Sequence, residues 1–468
     1  MKRTVPKLIK QSLGKLPRLP VPALVRPLEK IDESLTPNMR ALRLTMTIAE
    51  QLLSMGVAAK DVAHMALGIT DTYCKRRAHL DISYTLITIS QDRGVDREPL
   101  TLVRVIVPED ANYQLIQSLQ SLALTIRDTH LPLEEAEQQL EKLLATPARH
   151  SRWLIYAAGG AVSAGVVVLY DGTPLMAGLS FIIGFLATGL LRWLGRLGLA
   201  TFYSQTLAAL IITLVASGIA WLNMTWQLQV NPTLLVIGGI VLLVAGMMIV
   251  GAFQDAIDEY YVTANARLLK VMMATGGIVV GVLGGLYIAT KFGISFPATP
   301  DRLSLAEAST QYIGALIIAA AFALRNHARL FGMIIAGAVG LLGWWVMRLL
   351  TGWELGVVIA SGAAAALIGL MATFVSRLWR IPSLAIIGAG IVPLVPGLSL
   401  YNGLLGMVQY QPQDPQFMVA AGILARAVMI GLAVAAGASL GNMIGRPLRR
   451  RVIRLYRQRS QAARSAAE

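Results

Sequence analysis

From Trp153 onward the chain is a series of apolar runs of bilayer length, each closed by one or two charges. Crossing a hydrocarbon core as a helix takes about 17–25 apolar residues, and a backbone in lipid must satisfy its own hydrogen bonds. A chain patterned this way folds as packed membrane helices. The runs are 153–170, 172–191, 201–222, 233–254, 271–290, 308–324, 330–347, 355–376, 382–408 and 416–444, which makes ten. The uncharged stretch 197–254 is too long for one helix, and the polar, Trp-bearing turn from Trp221 to Pro232 divides it. Composition agrees: 55% of residues are hydrophobic and 14% charged, against roughly 25% charged in soluble proteins. That little charge cannot cover a water-soluble globule, so a wholly soluble protein is excluded. A single cysteine, Cys74, excludes a disulfide framework and any Cys-rich metal site.

Most of the net charge of +15 sits at the two ends. Residues 1–30 carry eight Lys/Arg and one Glu, and residues 446–468 carry eight Arg and one Glu. At the ends of an apolar chain such tails read as cytoplasmic segments facing anionic lipid headgroups rather than as nucleic-acid arms. With a cytoplasmic N-terminus, the internal inside loops hold Arg192, Arg196, Arg267, Lys270, Arg325, Arg329, Arg377 and Arg380, and the outside loops hold only Lys291, Arg302 and Arg348. This asymmetry predicts both termini on the cytoplasmic side.

Residues 1–35 have no apolar stretch of signal-peptide type and read as a basic flexible arm. Residues 36–150 read as a small cytosolic α+β domain. Thr36-Pro37 is a helix start, and Leu42, Met46, Ala49 and Leu53 follow at helical spacing up to Gly56. A second helix carries Val62, Met65, Ile69 and Tyr73. The period then changes, and 82–90 and 100–107 predict a two-stranded hairpin around the turn-prone Asp92 to Pro99. Two further helices follow, carrying Leu115 to Ile126 and Leu133 to Leu143. The order is ααββαα. A two-stranded sheet needs cover, so the hairpin invites pairing with another copy, and a homo-oligomer is expected.

The membrane region repeats itself. Gly239 to Gly246 reads GIVLLVAG and Gly390 to Gly397 reads GIVPLVPG, with six of eight positions identical. Pro232-Thr233-Leu234 likewise parallels Pro382-Ser383-Leu384, and Ala266-Arg267 parallels Ala425-Arg426. The matching segments fall five spans apart. Five is odd, so two five-span halves, 151–295 and 305–445, enter the membrane in opposite senses, the plan of many secondary transporters.

At residues 381–403 (IPSLAIIGAGIVPLVPGLSLYNG) the chain resembles the threonine/serine exporters of the ThrE type. Pro382, Pro393, Pro396, Gly397 and Tyr401 stand where that family has them, and Asp258 with Ala266-Arg267 matches its first half. The resemblance covers about 37–445. It implies an N-terminal cytosolic domain, ten spans in two related halves, a bacterial inner membrane and threonine or serine as substrate. One departure is Ala245-Gly246, where the family's first half carries proline-glycine, so a weaker break is expected there.

Candidate site residues follow. Pro393 and Pro396 lack amide hydrogens, which should free the carbonyls of Ala389 and Val392. Either a broken helix presents this backbone, with Ser399, Tyr401 and Asn402, to a polar ligand, or a neighbouring helix satisfies an ordinary kink. Gly246 and Gly397 are the glycines of the two matched segments. Arg426, about ten residues into its span, either holds a substrate carboxylate or snorkels to the surface. Asp255 and Asp258 either carry a proton or lie in a solvated loop beside Glu259. No metal spacing, nucleophile motif or nucleotide-binding lysine appears, so no cofactor and no enzymatic activity is expected, and transport would draw on an ion gradient. The reading is a secondary exporter of small polar amino acids, with proton antiport as its coupling. The alternative is a membrane-anchored sensor, scaffold or hydrolase acting through its N-terminal domain.

Overall fold

The structure, a computed structural model, describes residues 36–94, 97–146, 150–226, 230–243, 246–294 and 305–465 of the 468-residue chain. The arm at 1–35 lies outside the described residues.

The N-terminal segment opens as its sequence requires. The Thr36 hydroxyl accepts from the Met39 amide at 3.4 Å, capping α1 (Pro37–Ser54). Leu42, Met46, Ala49 and Leu53 all turn inward from that helix. Helix α2 (Ala59–Tyr73) packs on it. Helices α3 (Tyr113–Thr129) and α4 (Leu133–Ala145) follow a sheet, and Arg40 ties α1 to α4 through Glu134 and Glu137. Cys74 is buried and free of any disulfide.

The sheet differs from expectation. It has three antiparallel strands in the order β1-β2-β3, namely Ala78–Ser83, Leu86–Gln91 and Leu100–Val105. The run read as one strand over 82–90 is two strands around a tight turn, with Ser83 opposite Leu86. Tyr84 takes φ 49° there. The turn is held from outside its own segment: the Tyr84 amide donates to the Thr263 hydroxyl at 3.1 Å, and that hydroxyl donates to the Ile82 carbonyl at 3.3 Å.

The membrane region begins with α5 (Arg152–Leu169), α6 (Pro174–Arg196) and α7 (Thr201–Trp226). Two short helices follow, α8 (Pro232–Val241) and α9 (Gly246–Ile257), and then α10 (Tyr261–Lys291). The pattern then recurs as α11 (Ala308–Arg325), α12 (Leu330–Gly352) and α13 (Val357–Trp379). The short α14 (Ser383–Gly390) and α15 (Gly397–Gln409) come next, and α16 (Pro415–Ser465) closes the chain. Among the described residues, eight helices are long and apolar enough to cross a membrane, or nine if the pair around Pro393, bent by 51°, is one span. The protein is therefore a polytopic helical membrane protein. The arginine-rich end is not a separate element, because α16 runs through it to Ser465.

Packing in the two halves corresponds helix by helix. In the first half α8 packs against α5, α6 and α7, and in the second α14 packs against α11, α12 and α13. The α7–α10 contact has its counterpart in α13–α16, and α9–α10 has its counterpart in α15–α16. Both long pairs close through glycine. A Cβ on Gly281 would run into the Thr206 carbonyl, and one on Gly441 would run into the Ala366 carbonyl. Only a residue without Cβ permits backbones this close. Helices α5 and α11 join the halves and run antiparallel: Gly165 lies against Ile318, while four residues on Leu169 lies against Gly314.

Candidate functional site

The repeated eight-residue segments lie across the two helix interruptions. Gly246 opens α9 and Gly397 opens α15. In the second half the chain leaves α14 at Gly390 and makes a 3-10 turn over Val392–Leu394 before α15. The two prolines produce this by lacking amide hydrogens. One expected consequence is absent: the Val392 carbonyl is not freed, because the Val395 amide donates to it at 3.1 Å. The tighter turn recovers the bond that the helix loses. In the first half the chain leaves the helix between Val241 and Gly246 without a proline; Val244 and Ala245 lie outside the described residues.

The two interruptions meet. Helix α8 packs on α15, and α9 packs on α14. A Cβ on Gly397 would stand 3.1 Å from Val241 and 3.6 Å from Ile237, so glycine sets how closely α15 approaches α8. Between them lies a small, partly open pocket, lined by Pro393, Val395, Gly397 and Leu398 from one interruption and Ile237 and Val241 from the other. Val166, Leu169 and Tyr170 of the α5 end and Ile318 of α11 complete the wall.

The expected site residues divide into three groups. Pro393 and Gly397 line the cavity. Pro396 caps α15, and Ser399, Tyr401 and Asn402 lie in its first turns, behind the lining. Tyr401 is fully buried with its hydroxyl toward Thr233 of α8, and the Asn402 side-chain oxygen is buried without a hydrogen-bond partner among the described residues. Arg426 stands apart. Leu424 packs against Gly403, and two residues further on is about 200° around the helix. Arg426 therefore leaves the opposite, exposed face of α16 and does not line the cavity.

Asp255 and Asp258 form the third group, at the junction with the N-terminal segment rather than at the cavity. Asp255 is wholly buried in the last turn of α9. Its Oδ1 accepts from the Ala59 amide at 2.9 Å. Helix α2 has no side-chain cap of its own, so Asp255 supplies one from across the junction. Its Oδ2 lies 3.1 Å from Arg267 in an ion pair without hydrogen-bond alignment. Arg267 crosses α9 at Gly251, where a Cβ would meet its guanidinium at 2.8 Å. It donates to the Val57 carbonyl at 2.9 Å and the Gly56 carbonyl at 3.4 Å. Asp258 pairs with Lys60 at 2.7 Å.

Sequence reasoning missed Val166, Tyr170 and Ile318, which lie at ordinary positions of unbroken helices and carry no local signal. It also missed the partners of Asp255, which lie about 200 residues away in sequence.

The profile of the family described as "Putative threonine/serine exporter" matches residues 43–289, and that of "Threonine/Serine exporter, ThrE" matches residues 311–444. A Corynebacterium glutamicum protein named "Threonine/serine exporter" is 31% identical over 434 residues, covering 92% of this chain and 87% of that protein. A Mycobacterium tuberculosis protein named "Probable threonine/serine exporter" is 30% identical over 417 residues, covering 88% and 77%. No solved structure matches the chain.

Proposed function

The chain belongs to the threonine/serine exporter family, and on that premise we propose that it exports threonine, serine or a similar small amino acid in exchange for protons. The observation that carries the reading is the meeting of two interrupted helices, one from each half, at one small pocket. Transporters place substrate where broken helices cross, because interrupted backbone offers polar groups inside an otherwise apolar region. Val166, Ile237 and Ile318 would meet the substrate's apolar part and the backbone between Pro393 and Leu398 its polar groups, with Tyr401 and Asn402 supporting that backbone from behind. Arg426 keeps a role in this proposal only if α16 rotates during the cycle.

Ten spans in two inverted halves, about 151–295 and 305–445, fit this proposal. An axis in the membrane plane turns each helix antiparallel to its mate, and the antiparallel contact of α5 with α11 supports that relation, as does the matched packing of the halves. The N-terminal segment, 36–150, is assigned to the cytoplasmic side of a bacterial inner membrane as a regulatory unit. The basic ends, 1–35 and 446–468, are assigned to anionic headgroups there. The 31 residues of α10 run about 46 Å, longer than a hydrocarbon core of about 30 Å. The end carrying Arg267 and Lys270 therefore extends toward water.

The coupling follows from charge. A zwitterion has no net charge, so membrane potential alone cannot expel it. One proton entering in exchange supplies about 2.3 kcal/mol per 100 mV, and each unit of pH gradient adds about 1.4 kcal/mol. Asp255 is the first candidate carrier and Asp258, already paired with Lys60, the second. In proteoliposomes, Asp255→Asn and Asp258→Asn should abolish uphill export and spare exchange of labelled for unlabelled substrate. If both variants, and the pair combined, still concentrate threonine and respond to an uncoupler like the parent, the proton assignment is wrong. Absence of threonine and serine counterflow by the parent protein would sink the substrate assignment.

A further inference from the structure

The N-terminal segment touches both halves of the membrane region, and the two contacts differ in kind. On the first half it is held by Asp255, which accepts from the Ala59 amide, by Arg267, which donates to the Val57 carbonyl, by the Asp258–Lys60 pair and by the Tyr84–Thr263 bond. On the second half, the hydrogen bond found is between backbones: the Tyr113 amide donates to the Asn326 carbonyl at 2.9 Å. Around it stands a group of titratable side chains. His327, at φ 61° between α11 and α12, lies with its ring centre 6.0 Å from that of His150, which precedes α5. Arg192 of α6 and Asp110, just ahead of α3, act on His327. Arg325 of α11 and Lys270 of α10 also face Asp110, and Glu109 lies within reach of Asp110 and Glu50. Asp110 thus meets two cations, Lys270 and Arg325, and the His327 imidazole. The His327 Nδ1 is buried without a hydrogen-bond partner among the described residues.

We infer that the N-terminal segment is a brace across the two halves, fixed to the first and releasable from the second, and that protonation of the His150–His327 pair releases it. Neutral imidazoles can sit beside Arg192. Protonated ones add like charge where the carboxylate that acts on His327, Asp110, is already shared with Lys270 and Arg325. Burial, then His150, then Arg192 hold His327 below the ordinary histidine value. The docked form therefore binds fewer protons than the released form, and acidification favours release. Below the ordinary value of about 6.5, docking weakens about tenfold per pH unit until the docked value is reached. The consequence for transport rests on the exporter reading, because a brace matters only if the halves move against each other. The contact itself does not depend on that reading.

Spin labels on the full chain in nanodiscs, in a Cys74→Ala background, test the brace without measuring transport. One pair, Asp128→Cys with Arg329→Cys, spans the second contact. The other, Asp128→Cys with Tyr261→Cys, spans the first. Between about pH 7.5 and about pH 5.5, either side of the ordinary histidine value, the 128–329 distance should lengthen or broaden while 128–261 stays fixed. Adding His150→Gln and His327→Gln should hold the 128–329 distribution in its high-pH form. In the unlabelled protein, exchange protection of the Tyr113 amide, corrected for intrinsic pH dependence, should fall over the same interval. An unchanged 128–329 distance with unchanged Tyr113 protection overturns the proposal, and so does a full shift in the histidine variant. Loss of threonine counterflow with these distances behaving as expected would reject the exporter reading alone.

Discussion

Removing the Arg267 side chain tests how the N-terminal segment is attached. In Arg267→Met, Asp255 stays wholly buried and loses its cation, while the Gly56 and Val57 carbonyls lose their donor. Breaking one side of a buried pair costs about 3–5 kcal/mol, because the remaining charge is stranded. At about 1.4 kcal/mol per factor of ten, opening of the α1–α2 turn should rise roughly a hundredfold to several-thousandfold. Hydrogen exchange over residues 54–62 reads this directly, since the Ala59 amide is the proton that Asp255 holds. The paired variant Asp255→Asn/Arg267→Met should recover most of the loss. Asparagine carries no charge to strand, and its side-chain oxygen can still accept from Ala59. Protection in Arg267→Met equal to the parent's, or a double variant worse than either single one, would refute the reasoning.

Lys60→Ala should cost less than Arg267→Met in the same assay, since the lysine side of its ion pair is partly solvent-exposed although Asp258 is buried. Gly441→Ala and Gly281→Ala should each destabilise the protein in detergent by about 1–3 kcal/mol, because a Cβ meets backbone oxygen on the facing helix; an unshifted melting temperature counts against those close approaches. Gly397→Val should slow threonine counterflow at least tenfold by forcing α15 off α8, with the protein still folded by gel filtration. Single cysteines at 172, 353 and 412 should label from outside intact cells and one at 195 should not, as the proposed orientation requires; equal labelling at 195 rejects it.

The pattern that made this chain a membrane protein was legible residue by residue, because hydropathy and the cost of unsatisfied backbone in lipid act along the sequence. The second interruption was legible for the same reason: proline removes a hydrogen bond wherever it stands, and Pro393 and Pro396 stand mid-run. The repeat at Gly239 and Gly390 pointed to the two places that meet. What the segments meet around was not legible. Val166, Tyr170 and Ile318 become cavity wall only because α5 and α11 pack antiparallel between the halves. The turn that splits 82–90 into two strands is held by Thr263, which lies some 180 residues away. Asp255 is the sharpest case. Sequence offers a carboxylate at the end of an apolar run, in a membrane or in a loop. The structure turns it into the cap of a helix that begins at Ala59, paired to an arginine that reaches it across Gly251. Local periodicity fixes which elements form. Which charges are buried, and against what, depends on contacts between segments distant in the chain, and those exist only once the whole chain has packed.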